Sequence, residues 1–153
     1  MPRNEMAPSE VSEVLTREDV VRVAFHDGKE IYLIPLGYVW RAAALYGVTE
    51  AGRKTRLAAA SPGVAFQVDT AAQTGLFEWE SVTGSGRFEI VGDDDEKREA
   101  LEGLLALADD APAWWRDEQG PRMTSGRLLV WRLRPDRMTG VRYVPPTRVA
   151  DED

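Results

Sequence analysis

The residues of this chain best suited to chemistry lie together in Leu45-Tyr-Gly-Val-Thr-Glu-Ala-Gly-Arg-Lys-Thr-Arg56. A strand-like run stops at Thr49-Glu-Ala-Gly52, and a basic helix start follows at once. Such a turn presents backbone N–H groups, the first helical turn carries the positive end of the helix dipole, and Arg53 and Lys54 add two formal charges at the same point. The junction suits a phosphate. It is not a P-loop, because the G-x-x-x-x-G-K-[ST] spacing is absent, and it is not the G-x-G-x-x-G fingerprint of a dinucleotide-binding unit. Standing alone, the segment serves equally well as a surface helix with an ordinary basic first turn.

Few other residues offer chemistry. The single histidine, His26, falls one residue before Asp27-Gly28 on the polar face of a strand, where it is expected to face solvent, and no Ser/His/Asp arrangement supports it. One histidine, no cysteine and scattered carboxylates make no recognisable metal-ligand set. The acidic run Asp93-Asp-Asp-Glu96 reads as a helix start with carboxylates placed against the dipole. The absence of cysteine also excludes disulfides and thiol nucleophiles. An activity here would therefore need to be borrowed from a cofactor.

At 153 residues the chain makes one domain with a sizeable core. A net charge of −7 argues against a general nucleic-acid surface and makes the Arg53/Lys54 spot stand out. No apolar run has transmembrane length, and Met-Pro-Arg-Asn-Glu-Met lacks the apolar core of a signal peptide, so the expectation is a cytoplasmic protein with no membrane partner.

The elements that must position the phosphate spot are mostly strands. Residues 1–10 read as a flexible N-terminus, 11–145 as the single domain and 146–153 as an acidic flexible tail. Val11 to Thr16 suggests a short helix. Val21, Val23 and Phe25 then alternate with polar or small residues up to Asp27-Gly28, a strong hairpin signal. The returning run, Ile31 to about Trp40, is apolar on both faces and reads as one central strand. Leu45 to Thr49 is a third strand and Gly52 to Ala60 a helix, ended by Ser61-Pro62-Gly63. Val64 to Asp69 alternates, and Phe77–Thr83 and Arg87–Val91 read as a long antiparallel pair broken by Gly84-Ser-Gly86, where a bulge or kink is expected. From Asp93 the period becomes helical, with a Leu101, Leu104, Leu105, Ala108 stripe. Trp114-Trp115 falls where a loop is expected, either plugging the barrel end or walling a substrate pocket. Leu129, Trp131 and Leu133 start a last long strand. The fold class is α+β, a largely antiparallel barrel with a few short helices.

Four stretches in order carry a resemblance: Asp27-Gly-Lys-Glu-Ile-Tyr-Leu-Ile-Pro-Leu-Gly-Tyr38, the Thr49–Lys54 turn, Ser61-Pro-Gly-Val-Ala-Phe-Gln-Val-Asp69, and Trp79-Glu-Ser-Val-Thr-Gly-Ser-Gly-Arg-Phe-Glu-Ile-Val-Gly-Asp93. With Arg134-Pro-Asp-Arg-Met-Thr-Gly140 they resemble the pyridoxamine 5′-phosphate oxidase-related family of FMN-binding split barrels, in particular its nitroimidazole-resistance-like branch. The resemblance runs from about Leu15 to Gly140. It implies that Arg53 and Lys54 clamp the FMN phosphate, with Val48, Thr49 and Gly52 on the preceding turn. It also implies that Pro35, Leu36, Gly37 and Tyr38 follow the isoalloxazine edge, and that Trp79 and Ser81 approach the cofactor near a homodimer interface. Where that branch usually has His, this chain has Gly47. The substrate motifs of true pyridoxamine phosphate oxidases are absent. The expected function is an FMN-binding oxidoreductase acting on a small-molecule substrate by hydride transfer. The alternatives are a non-catalytic flavin or haem binding protein and a deazaflavin-dependent reductase of the same fold.

Overall fold

Asp27-Gly28 turns the chain as its residue types require: the Asp27 carboxylate accepts the N–H groups of Lys29 and Glu30 at 2.9 and 2.8 Å, and Gly28 adopts φ +90°. The strands on either side, β2 (Val20–His26) and β3 (Ile31–Gly37), open an antiparallel sheet in the computed structural model, which describes residues 3–145. Short β4 (Val39–Arg41) and β5 (Ala44–Thr49) follow, then α2 (Arg53–Ala60) and β6 (Gly63–Asp69). After the one-turn α3 (Ala71–Thr74) come β7 (Trp79–Ile90), α4 (Asp94–Ala108), α5 (Ala113–Thr124) and β8 (Leu129–Tyr143). The chain starts with β1 (Arg3–Glu5), which pairs with β8, and α1 (Pro8–Arg17), so residues 3–10 carry regular structure. The expectation of an acidic flexible tail at 146–153 lies outside the described residues.

All pairings are antiparallel, in the order β3-β2-β6-β7-β8-β5-β4. In β2 and β6 every second residue faces the main core. Val21, Val23 and Phe25 of β2 and Val64, Phe66 and Val68 of β6 are buried, and Phe88 both stacks on Trp131 at 5.0 Å and meets Phe25 edge-on at 4.9 Å. A smaller cluster, Ala44, Tyr46, Val91, Ala100 and Val130, packs beneath α4. Phe77–Thr83 and Arg87–Val91 do not pair with each other as expected: from Trp79 to Ile90 the chain is the single strand β7, paired with β6 and β8, and the expected bulge lies between Ser85 and Gly86, where a Cβ on Gly86 would stand 2.3 Å from the Arg134 carbonyl oxygen.

Two further expectations are corrected. The run Ile31–Trp40 is not one central strand: β3 ends the hydrogen-bonded order, and its second set of apolar residues faces outward, with Ile31 81% and Leu33 64% exposed. After Gly37 the chain forms a second hairpin, β4–β5, across Ala42 and Ala43, which sit at φ 48° and 58°. Alanine has no preference for that region, so the turn carries no sequence signature. The segment holding Trp114-Trp115 is helix α5, not a loop.

Candidate functional site

The junction between β5 and α2 is built as its residue types demand. Thr49 is buried, with its hydroxyl donating to the Glu50 carbonyl at 3.0 Å. The Thr55 hydroxyl accepts the Gly52 N–H at 2.9 Å and donates to the Gly52 carbonyl, fixing the start of α2. The first turn of a helix leaves N–H groups without intrahelical partners, so positive potential gathers here. Lys54 lines the cleft in front of this turn, about 440 Å³ in volume, together with Leu36, Val48, Thr49, Gly52 and, from α5, Gln119 and Arg122.

Beside it lies a second cavity of about 450 Å³, bounded by Gly37 and Tyr38 at the end of β3, by Leu104, Leu107 and Ala108 of α4, and by Trp115, Gln119 and Met123 of α5. Val48 and Gln119 belong to the walls of both. A polar, basic cleft and an apolar cavity thus share a boundary.

Of the residues expected at the site, Leu36, Val48, Thr49, Gly52 and Lys54 come together in the basic cleft, and Tyr38 lies on the apolar wall. Arg53 turns the other way: it pairs with Glu30, and its guanidinium carbon lies 4.1 Å from the centre of the Tyr32 ring. Pro35, opposite Arg22 in the β2–β3 pair, lines neither cavity. Trp79 stacks on Tyr143 at 4.2 Å, and the Ser81 hydroxyl accepts from Gln67 at 3.2 Å; neither reaches the two cavities of its own chain. His26 is exposed. Among the described residues no cluster of potential metal ligands occurs.

No motif in the sequence signals Arg122. It donates to one oxygen of Glu50 from Nη2 at 2.8 Å and Nε at 3.2 Å, and this contact holds the Glu50 carboxyl below the usual carboxylate range. Spacing could have found it, since Trp115, Gln119, Arg122 and Met123 recur at helical intervals on one face of α5.

The roof of the apolar cavity is held from α4. Asp93 caps the helix by accepting the Glu96 N–H at 2.8 Å, which settles its acidic run as a capped helix start. The Glu96 carboxylate accepts from Arg132 and from the Tyr46 hydroxyl, tying α4 to β8 and β5; Arg132 in first place holds Glu96 below its ordinary range. Tyr38 is buried and donates to the Leu15 carbonyl at 2.7 Å. Burial, and then the charges of Glu18 and Asp19, push its pKa far up, so it stays protonated and positions β3.

Gly47 has no room for an imidazole. A Cβ there would lie 2.3 Å from Cζ2 of Trp131 and 2.7 Å from the Gly37 carbonyl oxygen. The Trp131 indole fills that space, fully buried, and its Nε1–H has no hydrogen-bond partner.

A family model described as pyridoxamine 5′-phosphate oxidase matches residues 7–142. The chain belongs to this family. No curated protein matches the sequence. Among solved structures, the chain is similar to an FAD-binding protein from Mesorhizobium loti, with 26% identity, 93% of this chain and 99% of that one covered, and a TM-score of 0.73. It is also similar to a candidate 5-nitroimidazole antibiotic resistance protein from Bacteroides thetaiotaomicron (18% identity, 92% and 87% covered, TM-score 0.69) and to HutZ, a haem storage protein from Vibrio cholerae (14% identity, 86% and 92% covered, TM-score 0.63). The pyridoxamine 5′-phosphate oxidase-related fold is thus the fold of this chain, a split barrel of the α+β class. Family members and their structural relatives include flavin-binding proteins, which agrees in kind with a basic cleft beside an apolar one. No helix among the described residues is long and apolar enough to cross a membrane.

Proposed function

We propose that this chain is an FMN-dependent oxidoreductase acting on a small organic molecule. One observation carries the reading: the basic cleft at Lys54 and the apolar cavity under α4 and α5 share Val48 and Gln119 as walls. A molecule with a phosphate at one end and a flat, largely apolar ring system at the other fits such a pair. The donor set suits FMN. Lys54 and the α2 N-terminus hold the phosphate, with Arg122 at the cleft wall paired to Glu50, Thr49 offers a hydroxyl, and Leu36, Gly37, Tyr38 and Val48 face the ring. When bound, the isoalloxazine supplies hydride transfer through its N5. The chain's own part is to orient the ring against the β3 end and to exclude water with the α4–α5 roof. Proton transfer from an imidazole at position 47 is not available to it, and with the specific substrate motifs missing, pyridoxamine phosphate is not its substrate.

The functional unit in this reading is a homodimer. The outward face of β2 and β3 carries Val20, Ile31 and Leu33, respectively 45%, 81% and 64% exposed, an apolar surface of the kind that pairs with a second copy. In a dimer Trp79 and Ser81 would serve the partner copy's flavin. A monomeric species in sedimentation with flavin bound contradicts the dimer.

The test is titration of the apo-protein with FMN and riboflavin, alongside the absorption spectrum of the protein as purified. The expectation is a flavin spectrum and markedly tighter binding of FMN. Equal affinity for the two ligands overturns the phosphate assignment, and a haem or deazaflavin spectrum overturns the cofactor.

A further inference from the structure

With the anionic end of a flavin at Lys54 and its ring at the Val48–Gln119 boundary, the far end of the apolar cavity, at Leu104, Leu107 and Trp115, is left to a second molecule. Its electrostatics are one-sided. Among the described residues no basic side chain lines it, the Tyr38 hydroxyl is spent on the Leu15 carbonyl, and Asp19 is the one carboxyl group on its wall.

Asp19, Tyr38 and Leu107 also wall an adjoining cavity of about 280 Å³, which adds Glu18. Glu18 is 91% buried; its Oε2 accepts from Gln73 at 3.1 Å, while its Oε1 is buried with no hydrogen-bond partner and has Arg17 Nε at 3.8 Å. The basic group of this second cavity, Arg41, is held by the Glu99 carboxylate at 3.0 Å and the Glu99 carbonyl at 3.2 Å. Two carboxylates, one with an oxygen that has no hydrogen-bond partner, thus stand at the edge of an apolar pocket; Arg41 is held by Glu99, and Arg17, near Glu18, donates to Glu80 at 3.3 Å. A neutral ligand leaves them as they are, an anionic one is repelled, and a cationic one pairs with exposed Asp19 and with buried Glu18 beside it.

We infer that the cavity under α4 and α5 takes an organic cation: an aromatic or aliphatic body seated between Leu107 and Trp115, with a protonated amine directed at Asp19 and Glu18. The inference rests on the flavin reading only in treating that amine as the substrate; the cavity and its charge stand without it.

The test is calorimetric titration of the purified protein with phenethylamine, phenethyl alcohol and phenylacetate, which share a body and differ in head-group charge. The amine is expected to bind about tenfold or more tightly than the alcohol, and the carboxylate most weakly. Asp19→Asn, which keeps the backbone carbonyl that accepts the Tyr38 N–H at 3.0 Å, is expected to bring the amine close to the alcohol. Leu107→Lys, at a position 47% exposed and so tolerant of a longer side chain, is expected to reverse the order in favour of phenylacetate. Equal binding of amine and alcohol by wild type, or no effect of Asp19→Asn, overturns the proposal. Flavin absorbance recorded on the same samples separates the two readings. Its absence with the amine preference intact removes the oxidoreductase and keeps the site, whereas its presence without that preference does the reverse.

Discussion

Replacing Lys54 by Ala is expected to weaken FMN binding about tenfold to a hundredfold, while replacing Arg53 changes it little. The two residues are adjacent, and sequence alone assigns the phosphate to both. Their surroundings differ. Lys54 lines the cleft in front of the α2 N-terminus, whereas Arg53 pairs with Glu30 and lies over the Tyr32 ring. A charge-assisted hydrogen bond contributes about 1.5–3 kcal/mol, and each 1.4 kcal/mol is roughly tenfold in affinity, which sets the range for Lys54. For Arg53 the loss falls on folding instead: a half-exposed ion pair and a cation–π contact together contribute about 1 kcal/mol or less. Glu50→Gln should act in the opposite sense, because it removes the carboxylate that holds Arg122 and releases a second cation to the phosphate. The assay is quenching of flavin fluorescence on titration with each variant, using FMN and riboflavin in parallel, with thermal melts of the apo-proteins. Riboflavin lacks the phosphate and should be indifferent to all three substitutions. If Arg53→Ala weakens FMN as much as Lys54→Ala, or if riboflavin loses as much as FMN, the division of labour between the two cations is wrong.

The Ala42-Ala43 turn holds two non-glycine residues at positive φ, so the pair of changes Ala42→Asn and Ala43→Gly should stabilise the fold by about 1 kcal/mol in urea denaturation. Gly47→Ala should cost about 1–3 kcal/mol by the same measurement, since its Cβ would meet Trp131 and the Gly37 carbonyl. Burial first of all raises the pKa of Glu18 above 4.5, so the folded state binds its proton more tightly than the unfolded one and stability falls as pH rises through that window; Glu18→Gln should therefore raise the melting temperature more at neutral pH than at about pH 4. Glu96, held low chiefly by Arg132, has the opposite sign: its contribution is present above 4.5 and lost as pH falls through the depressed value, so Glu96→Gln should destabilise at neutral pH and matter little in acid. Trp115→Ala should weaken phenethylamine binding several-fold, whereas Trp114→Ala, at a residue 62% exposed and outside both cavities, should not.

The parts of the fold legible in the sequence are those whose cause is local. Val21, Val23 and Phe25 alternate because one face of β2 is buried, Asp27-Gly28 turns because its side chain and its φ both favour turning, and Asp93 starts α4 because its carboxylate satisfies the Glu96 N–H. What escaped has non-local causes. The edge position of β3 depends on which strands pair, and a run apolar on both faces looks the same whether its second face meets a core or a second surface. The Ala42-Ala43 turn is imposed by the pairing of β4 with β5, against the preference of its residues. Helix α5 opens after Pro112 and contains Gly120 and Pro121, residues of low helix propensity, so local chemistry reads it as a loop.

The same distinction divides the candidate site. Its phosphate half is a short contiguous segment, Val48 to Lys54, whose dipole, glycine and cation work wherever the segment is folded, so its residue types alone mark it. Its other half is assembled from the end of β3, one face of α4 and one face of α5; Asp19 is far in sequence from Leu107 and Trp115, and the helical spacing of Trp115, Gln119 and Met123 shows only once α5 is read as a helix. Glu96 joins the two halves, since by accepting from Tyr46 on β5 and Arg132 on β8 it fixes α4, and hence the cavity roof, to the strand that leads into the phosphate turn. The segment proposed to hold the cofactor's phosphate is therefore local and recognisable, while the cavity proposed for a second ligand depends on tertiary packing. On that reading, substitutions at Trp115 and Met123, which line the apolar cavity and not the phosphate cleft, should change what the cavity accepts well before they change whether the phosphate is held.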